Sequence, residues 1–77
     1  MIEAKLCYLI KACGMKKGEV AKSFELLPQN FNRKLKSESL KPQELIKLCE
    51  LLGLEIHFVS KETGQTMMKF DSSDLTQ

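Results

Sequence analysis

The sequence predicts a mainly α fold with a small β element, in which four helices over residues 1 to 53 are followed by a C-terminal β-hairpin over residues 54 to 70. Three observations carry that expectation. Apolar residues recur at spacings of three and four in four stretches, set apart by Gly14, by the segment 25 to 27 and by a polar link at 37 to 40. After Gly53 the period drops to two, with Leu54, Ile56 and Phe58 alternating with Glu55, His57 and Val59. Glu62-Thr63-Gly64 then offers a turn ahead of a second extended run, Gln65 to Phe70.

The first helix is expected from Ile2 to Cys13, with Ile2, Leu6, Leu9, Ile10 and Cys13 inward and Gly14 as its terminator. Tyr8 reads as a partly buried spacer, with a phosphate hydrogen bond as the alternative. A second helix, Lys17 to Phe24, turns Val20, Ala21 and Phe24 inward. The third starts at Pro28, which suits a first helical position, and ends at Leu35 or Lys36 with Phe31 and Leu35 on its inner face. Leu40 anchors the link that follows. Pro42 opens a fourth helix with Leu45, Leu48, Cys49 and Leu52 inward, and Gly53 ends it.

A three-residue hairpin loop at 62 to 64 places Lys61 opposite Gln65, Val59 opposite Met67, His57 opposite Lys69, Phe58 opposite Met68 and Ile56 opposite Phe70. One face is then wholly apolar. Val59, Met67 and His57 fall on the other, where a second copy of the chain can cover them, so a homodimer through the hairpin is expected. Residues 71 to 77 are polar and read as a flexible tail.

Seventy-seven residues make one domain with a modest core, which dimerisation would help. Charged residues are 29% and hydrophobic ones 43%, a composition of neither a disordered nor a membrane-embedded chain. The net charge of +2 hides an asymmetry: residues 1 to 53 hold ten Lys/Arg against six Asp/Glu, and residues 54 to 77 hold two against four. Basic charge travels with the helices. Cys7, Cys13 and Cys49 lack CxxC spacing and a companion His cluster, and His57 stands alone, so no metal site or cofactor is expected. With no signal-like N-terminus, a cytoplasmic protein with reduced thiols follows. No nucleophile, base and orienting group stand together, so an enzyme is not expected.

The third helix carries the chemistry. Its outward positions Gln29, Asn30, Asn32, Arg33 and Lys36 are amides and cations, whereas a merely solvated helix is more often rich in Glu. Amides and guanidinium match base edges in a DNA major groove, and cations pair with phosphate.

The residues Val20-Ala21, Phe24, the run Pro28-Gln29-Asn30-Phe31-Asn32-Arg33-Lys34-Leu35 and the stretch Leu45 to Gly53 resemble the lambda-repressor-like helix-turn-helix family, the XRE-like domains of phage repressors, Cro proteins and small bacterial regulators. The resemblance covers residues 3 to 54. It implies a sequence-specific regulator of transcription, repressor-like, whose third helix enters the major groove of double-stranded DNA. The expected base contacts are Gln29, on adenine, with Asn30, Asn32 and Arg33. The expected phosphate contacts are Lys16, Lys17, Lys34, Lys36 and Lys41, ordinary solvated lysines being the alternative. Glu25 stands where the family has Gly, and Leu27 where a Ser or Thr caps the reading helix. Ending in strands rather than a fifth helix makes the chain more similar to Cro-like members. The competing expectation is a protein-interaction module of the same fold, antitoxin-like or anti-repressor-like, whose partner is encoded nearby.

Overall fold

The computed structural model describes residues 1 to 75 and contains four helices followed by a two-stranded antiparallel hairpin. The chain divides at Lys41/Pro42 into two units. The first holds α1 (Ile2–Ala12), α2 (Lys17–Ser23) and α3 (Pro28–Lys36), all within a residue of where the apolar spacing and the Pro and Gly signals put them. α3 packs against both α1 and α2. Leu6, Ile10, Val20, Ala21, Phe31 and Leu35 are buried, and the Phe24 ring lies 5.7 Å from that of Phe31, tilted by 54°. Full burial of Phe31 alone is worth roughly 1.5–3 kcal/mol. It also fixes which face of α3 is left for solvent.

Two expectations for α1 fail. Ile2 is more than half exposed, because the first turn lies beyond the part of α1 that carries the buried Leu6 and Ile10. Tyr8 is 70% exposed, so it is no buried spacer.

All four helices end in the same way. The residue after each C-cap has positive φ, and the two N–H groups that follow the C-cap bond back into the last turn, the Schellman arrangement. Gly14 does this for α1, with φ 77° and Met15 N–H on the Ile10 carbonyl at 3.1 Å. At α2 the residue is Glu25, φ 58°, and Leu26 N–H reaches the Ala21 carbonyl at 2.9 Å. The turn keeps its shape, then, and Glu25 bears the strain. Glu38 does the same after α3, φ 54°, with Ser39 N–H on the Lys34 carbonyl at 3.1 Å.

The second unit begins with α4 (Pro42–Leu52), closed by Gly53 at φ 75° and by Leu54 N–H on the Cys49 carbonyl at 2.7 Å. Its buried residues are Ile46, Leu48 and Cys49, with Leu45 and Leu52 half-buried. Ile46 therefore takes the inward place expected of Leu45. The strands β1 (Ile56–Val59) and β2 (Thr66–Phe70) pair Ile56 with Phe70, His57 with Lys69 and Phe58 with Met68, as the alternation predicts.

Nearer the turn the expected register is off by one. Ser60, not Lys61, faces Gln65, since Ser60 N–H donates to the Gln65 carbonyl at 2.9 Å and Gly64 N–H to the Ser60 carbonyl at 2.9 Å. Val59 consequently pairs with Thr66, and Met67 is the extra residue of a β-bulge. Phe58 and Met68 stay exposed, although the Phe58 and Phe70 rings meet edge to face at 5.0 Å.

Beyond β2 the expected loose tail is partly ordered. Asp71 caps a short 3-10 turn, Ser72–Leu75, by accepting Ser73 N–H at 2.9 Å, while Asp71 N–H donates to the Asp74 carboxylate at 2.9 Å. That turn packs on α4. The tail expectation for residues 76 and 77 lies outside the described residues.

Candidate nucleic-acid interface

α3 offers its solvent side as a single polar stripe. Gln29, Asn32, Arg33, Lys36 and Ser37, at positions i, i+3, i+4, i+7 and i+8, line one shallow open concavity. The spacing is that of an amphipathic stripe, here filled by amides, cations and a hydroxyl. Phe31 and Leu35 hold the opposite face inward, so the stripe's orientation is set by the core.

Of the expected base-reading residues, three lie in the stripe and one does not. Asn30 lies outside the concavity, with its N–H donating to the Leu27 carbonyl at 3.0 Å, and Asn30 and Asn32 are both half-buried whereas Gln29 and Arg33 are exposed. Ser37 was not anticipated. Its hydroxyl donates to the Arg33 carbonyl at 2.8 Å and meets the Ser39 hydroxyl at 2.8 Å, fastening the last turn at the stripe's end. Counting eight residues from Gln29 along the helix would have found it.

The start of α3 lacks the groups that a helix N-terminus favours. A helix N-terminus favours Asp or Glu, each worth about 0.3–1 kcal/mol, and a side-chain cap about 1 kcal/mol more. α3 has neither, since its N-cap is Leu27, which makes no side-chain bond, and no acidic residue occurs between Pro28 and Ser37. Arg33, Lys34 and Lys36 in the last turn do suit the negative end of the dipole. That accounts for the cations but not for Gln29 and Asn32. The helix is cationic, free of acid and hydrogen-bonding along one face.

The expected phosphate ligands are more scattered. Lys36 belongs to the stripe, whereas Lys34 is half-buried on another side of α3. Lys16 is the N-cap of α2, and its N–H donates to the Glu19 carboxylate at 3.0 Å, so its backbone is fixed while its side chain remains exposed. Lys17 follows it, also exposed. Lys41 is exposed immediately ahead of Pro42. Residues 1 to 41 hold nine Lys/Arg against four Asp/Glu, so the positive field of the chain is concentrated in the unit that carries α3.

A second shallow concavity lies at the turn ahead of α3, lined by Gly18, Lys22, Glu25, Leu26, Leu27 and Pro28. Leu27 is 59% exposed there. In the hairpin, His57, Val59 and Met67 are all exposed, and Val59 and Met67 are not opposite one another. Glu55 sits between two bases, 3.4 Å from His57 Nε2 and 3.3 Å from Lys69 Nζ. The His57 hydrogen bond first, then Lys69, holds its carboxyl below the usual glutamate range.

Among the described residues no group of three or more His, Cys, Asp and Glu is placed to hold a metal ion, and no helix is long and apolar enough to cross a membrane. No protein-family model, curated protein or solved structure matches the chain.

Proposed function

We propose that the chain is a sequence-specific double-stranded DNA-binding regulator of transcription, repressor-like and cytoplasmic, that reads the major groove with α3. The observation that carries this reading is the stripe Gln29–Asn32–Arg33–Lys36 on a helix with no acidic residue. An amide presents a donor and an acceptor side by side, which matches adenine N7 and N6. A guanidinium presents two parallel donors, which match guanine O6 and N7. In a major groove Gln29 and Arg33, one turn apart, read neighbouring base pairs, and Asn32 and Lys36 flank them. Lys16, Lys17 and Lys41 neutralise phosphates and set the register without reading sequence. The chain acts by occupying a site, and no catalytic step is part of the reading. The resemblance to lambda-repressor-like domains supports the same assignment, and two copies joined through the hairpin present two reading helices to a palindrome.

Selection of bound sites from a random DNA pool tests this. One recovered motif, palindromic and A·T- and G·C-specific at adjacent positions, is the expected result. A pool with no enriched sequence overturns the reading. The exposed Phe58, Val59, Met67 and Met68 favour a second reading, in which the hairpin docks a protein encoded nearby and the domain is antitoxin-like or anti-repressor-like. Under that reading, mixing with the neighbour's product abolishes or replaces DNA binding.

A further inference from the structure

We infer that the outer face of α1 is a docking surface for an acidic amphipathic helix of another protein, centred on Tyr8 and bordered by Lys5 and Lys11; the inference does not depend on the DNA-binding reading above. Successive residues of a helix are turned by about 100°, so Ala4 and Ala12 lie about 40° to either side of Tyr8, and Lys5 and Lys11 about 60°. All five are exposed, Tyr8 to 70%. Met1, 89% exposed, extends the apolar line, so that Met1, Ala4, Tyr8 and Ala12 follow one another at spacings of three, four and four, the period at which one helix seats on another. Leu6 and Ile10, the buried residues of α1, are on the far side.

Nothing in the fold calls for this face. Among the described residues the Lys5, Tyr8 and Lys11 side chains make no hydrogen bond or ion pair. Lys11 suits the negative end of the helix dipole, but that accounts for neither Lys5 nor Tyr8. A single exposed aromatic is ordinary on a protein surface. Here it stands between two alanines, small enough to let a second helix approach to roughly 8–10 Å, within an apolar line bordered by a cation on each side. Charge decides what the second helix is. Glu3, the one acid of α1, is half-buried and about 140° from Tyr8, and the Glu38 carboxylate meets only the first turn, at Ile2 N–H (3.1 Å) and the Met1 amine (3.6 Å). Both flanks are therefore lysine. A second copy of α1, in either orientation, would bring lysine against lysine, whereas a helix with carboxylates on both sides of its apolar stripe pairs with both. A DNA phosphate would meet the lysines and leave the apolar line in water.

A displayed library of amphipathic helices, with a fixed Ala/Leu stripe and flanks randomised among Glu, Gln and Lys, is selected against the full chain. Peptides with Glu on both flanks should be enriched, and their amide shifts on the labelled protein should centre on residues 4 to 12. Tyr8→Ala should lower their affinity about tenfold, as expected of a tyrosine at the middle of an interface. Lys5→Glu combined with Lys11→Glu should turn the enrichment to Lys flanks, and Arg33→Glu combined with Lys36→Glu should leave the Glu-flanked peptides bound as before. The substituted side chains are all exposed, and thermal melts check that each variant is folded. No enrichment, binding indifferent to Tyr8→Ala, or binding lost in the Arg33 and Lys36 variant overturns the inference. So do α1 shifts that depend on protein concentration without peptide, which would seat a second copy there, and a DNA salt slope reduced by the Lys5 and Lys11 changes, which would make the pair phosphate ligands.

Discussion

Glu25 and Glu38 occupy equivalent places, each one residue past the C-cap of a helix and each at positive φ, 58° and 54°, where α1 and α4 have Gly14 and Gly53. A non-Gly residue in that conformation costs roughly 1–2 kcal/mol, because its Cβ crowds the following carbonyl. Two of four identical helix ends thus carry strain, and they flank α3.

Glu25→Gly should stabilise the domain by roughly 0.5–1 kcal/mol, the relieved strain less the greater freedom of glycine in the unfolded chain. The melting temperature should rise by roughly 3 to 6 °C for a domain of this size. A lower melting temperature would mean that the Glu25 side chain contributes something its removal loses.

Glu38→Gly should gain little or nothing, although the backbone strain is the same. The Glu38 carboxylate accepts Ile2 N–H at 3.1 Å and lies 3.6 Å from the Met1 amine, so the residue that ends α3 also caps the start of α1. Loss of a helix cap costs about 1 kcal/mol, which offsets the relief. Glu38→Gln keeps an acceptor and should be near neutral. If thermal melts show equal gains for Glu38→Gly and Glu25→Gly, the Glu38–Ile2 bond contributes no stability.

Two carboxylates sense acid. Glu55 is held below the usual range first by the His57 hydrogen bond and then by Lys69, and Asp71 first by the Ser73 hydroxyl and then by Ser73 N–H. A lowered folded pKa means that the stabilising effect is complete above the ordinary carboxylate value and is lost as pH falls through the folded one. Both groups are exposed, so the effect on stability is small and salt-sensitive. Carboxyl chemical shifts should titrate below the ordinary range, and Ser73→Ala should return Asp71 toward it. An Asp71 midpoint unchanged in Ser73→Ala would assign the shift to another cause.

The helices were readable because their ends are written in residues with a single structural meaning: Pro28 and Pro42 at first positions, Gly14 and Gly53 beyond the last. Glu38 carries no such mark. Nothing in its type forecasts a positive φ, and its bond to Ile2 spans 36 residues. The hairpin register was readable from Ile56 to Phe58 because the alternation is apolar on one side. It failed at the bulge because Met67 and Met68 are the same residue, and a one-residue slip between them leaves the pattern unchanged. The polar stripe of α3 followed from helical spacing once Phe31 and Leu35 were inward. Asn30 lies outside that concavity, about 100° around the helix from Gln29 on the side away from Asn32 and Lys36.

Gln29→Ala should cost roughly 1 to 3 kcal/mol on the selected site and relax preference at one base pair, with affinity for random DNA nearly unchanged. Lys41→Ala should weaken binding to all sequences alike and reduce the salt slope by about one phosphate equivalent. Equal losses for Gln29→Ala on selected and random DNA would argue against base reading. An unchanged salt slope removes Lys41 from the contact set.

Val59→Lys combined with Met67→Lys should give a folded monomer with far weaker DNA affinity. Val59 is 53% exposed and Met67 67%, so neither lysine displaces a buried side chain. The hairpin is a sheet of two strands, and each has an outer edge of unpaired backbone groups, a template for the same strand of a second copy. Pairing about a twofold axis closes the assembly, and lysines at 59 and 67 place like charges on its two sides. The bulge at Met67 matters here, since it twists β2 away from flat pairing and leaves the regular β1, Ile56–Val59, as the better edge. Val59→Lys alone should therefore weaken the dimer more than Met67→Lys alone. Under the DNA-binding reading proposed above, two copies of α3 would reach half-sites about 34 Å apart, one helical turn, so a monomer would lose the second contact and most of the affinity. Sedimentation velocity and binding titrations on the same preparations measure both effects. A double mutant that still sediments as a dimer moves the interface away from the hairpin, to α1 or α4.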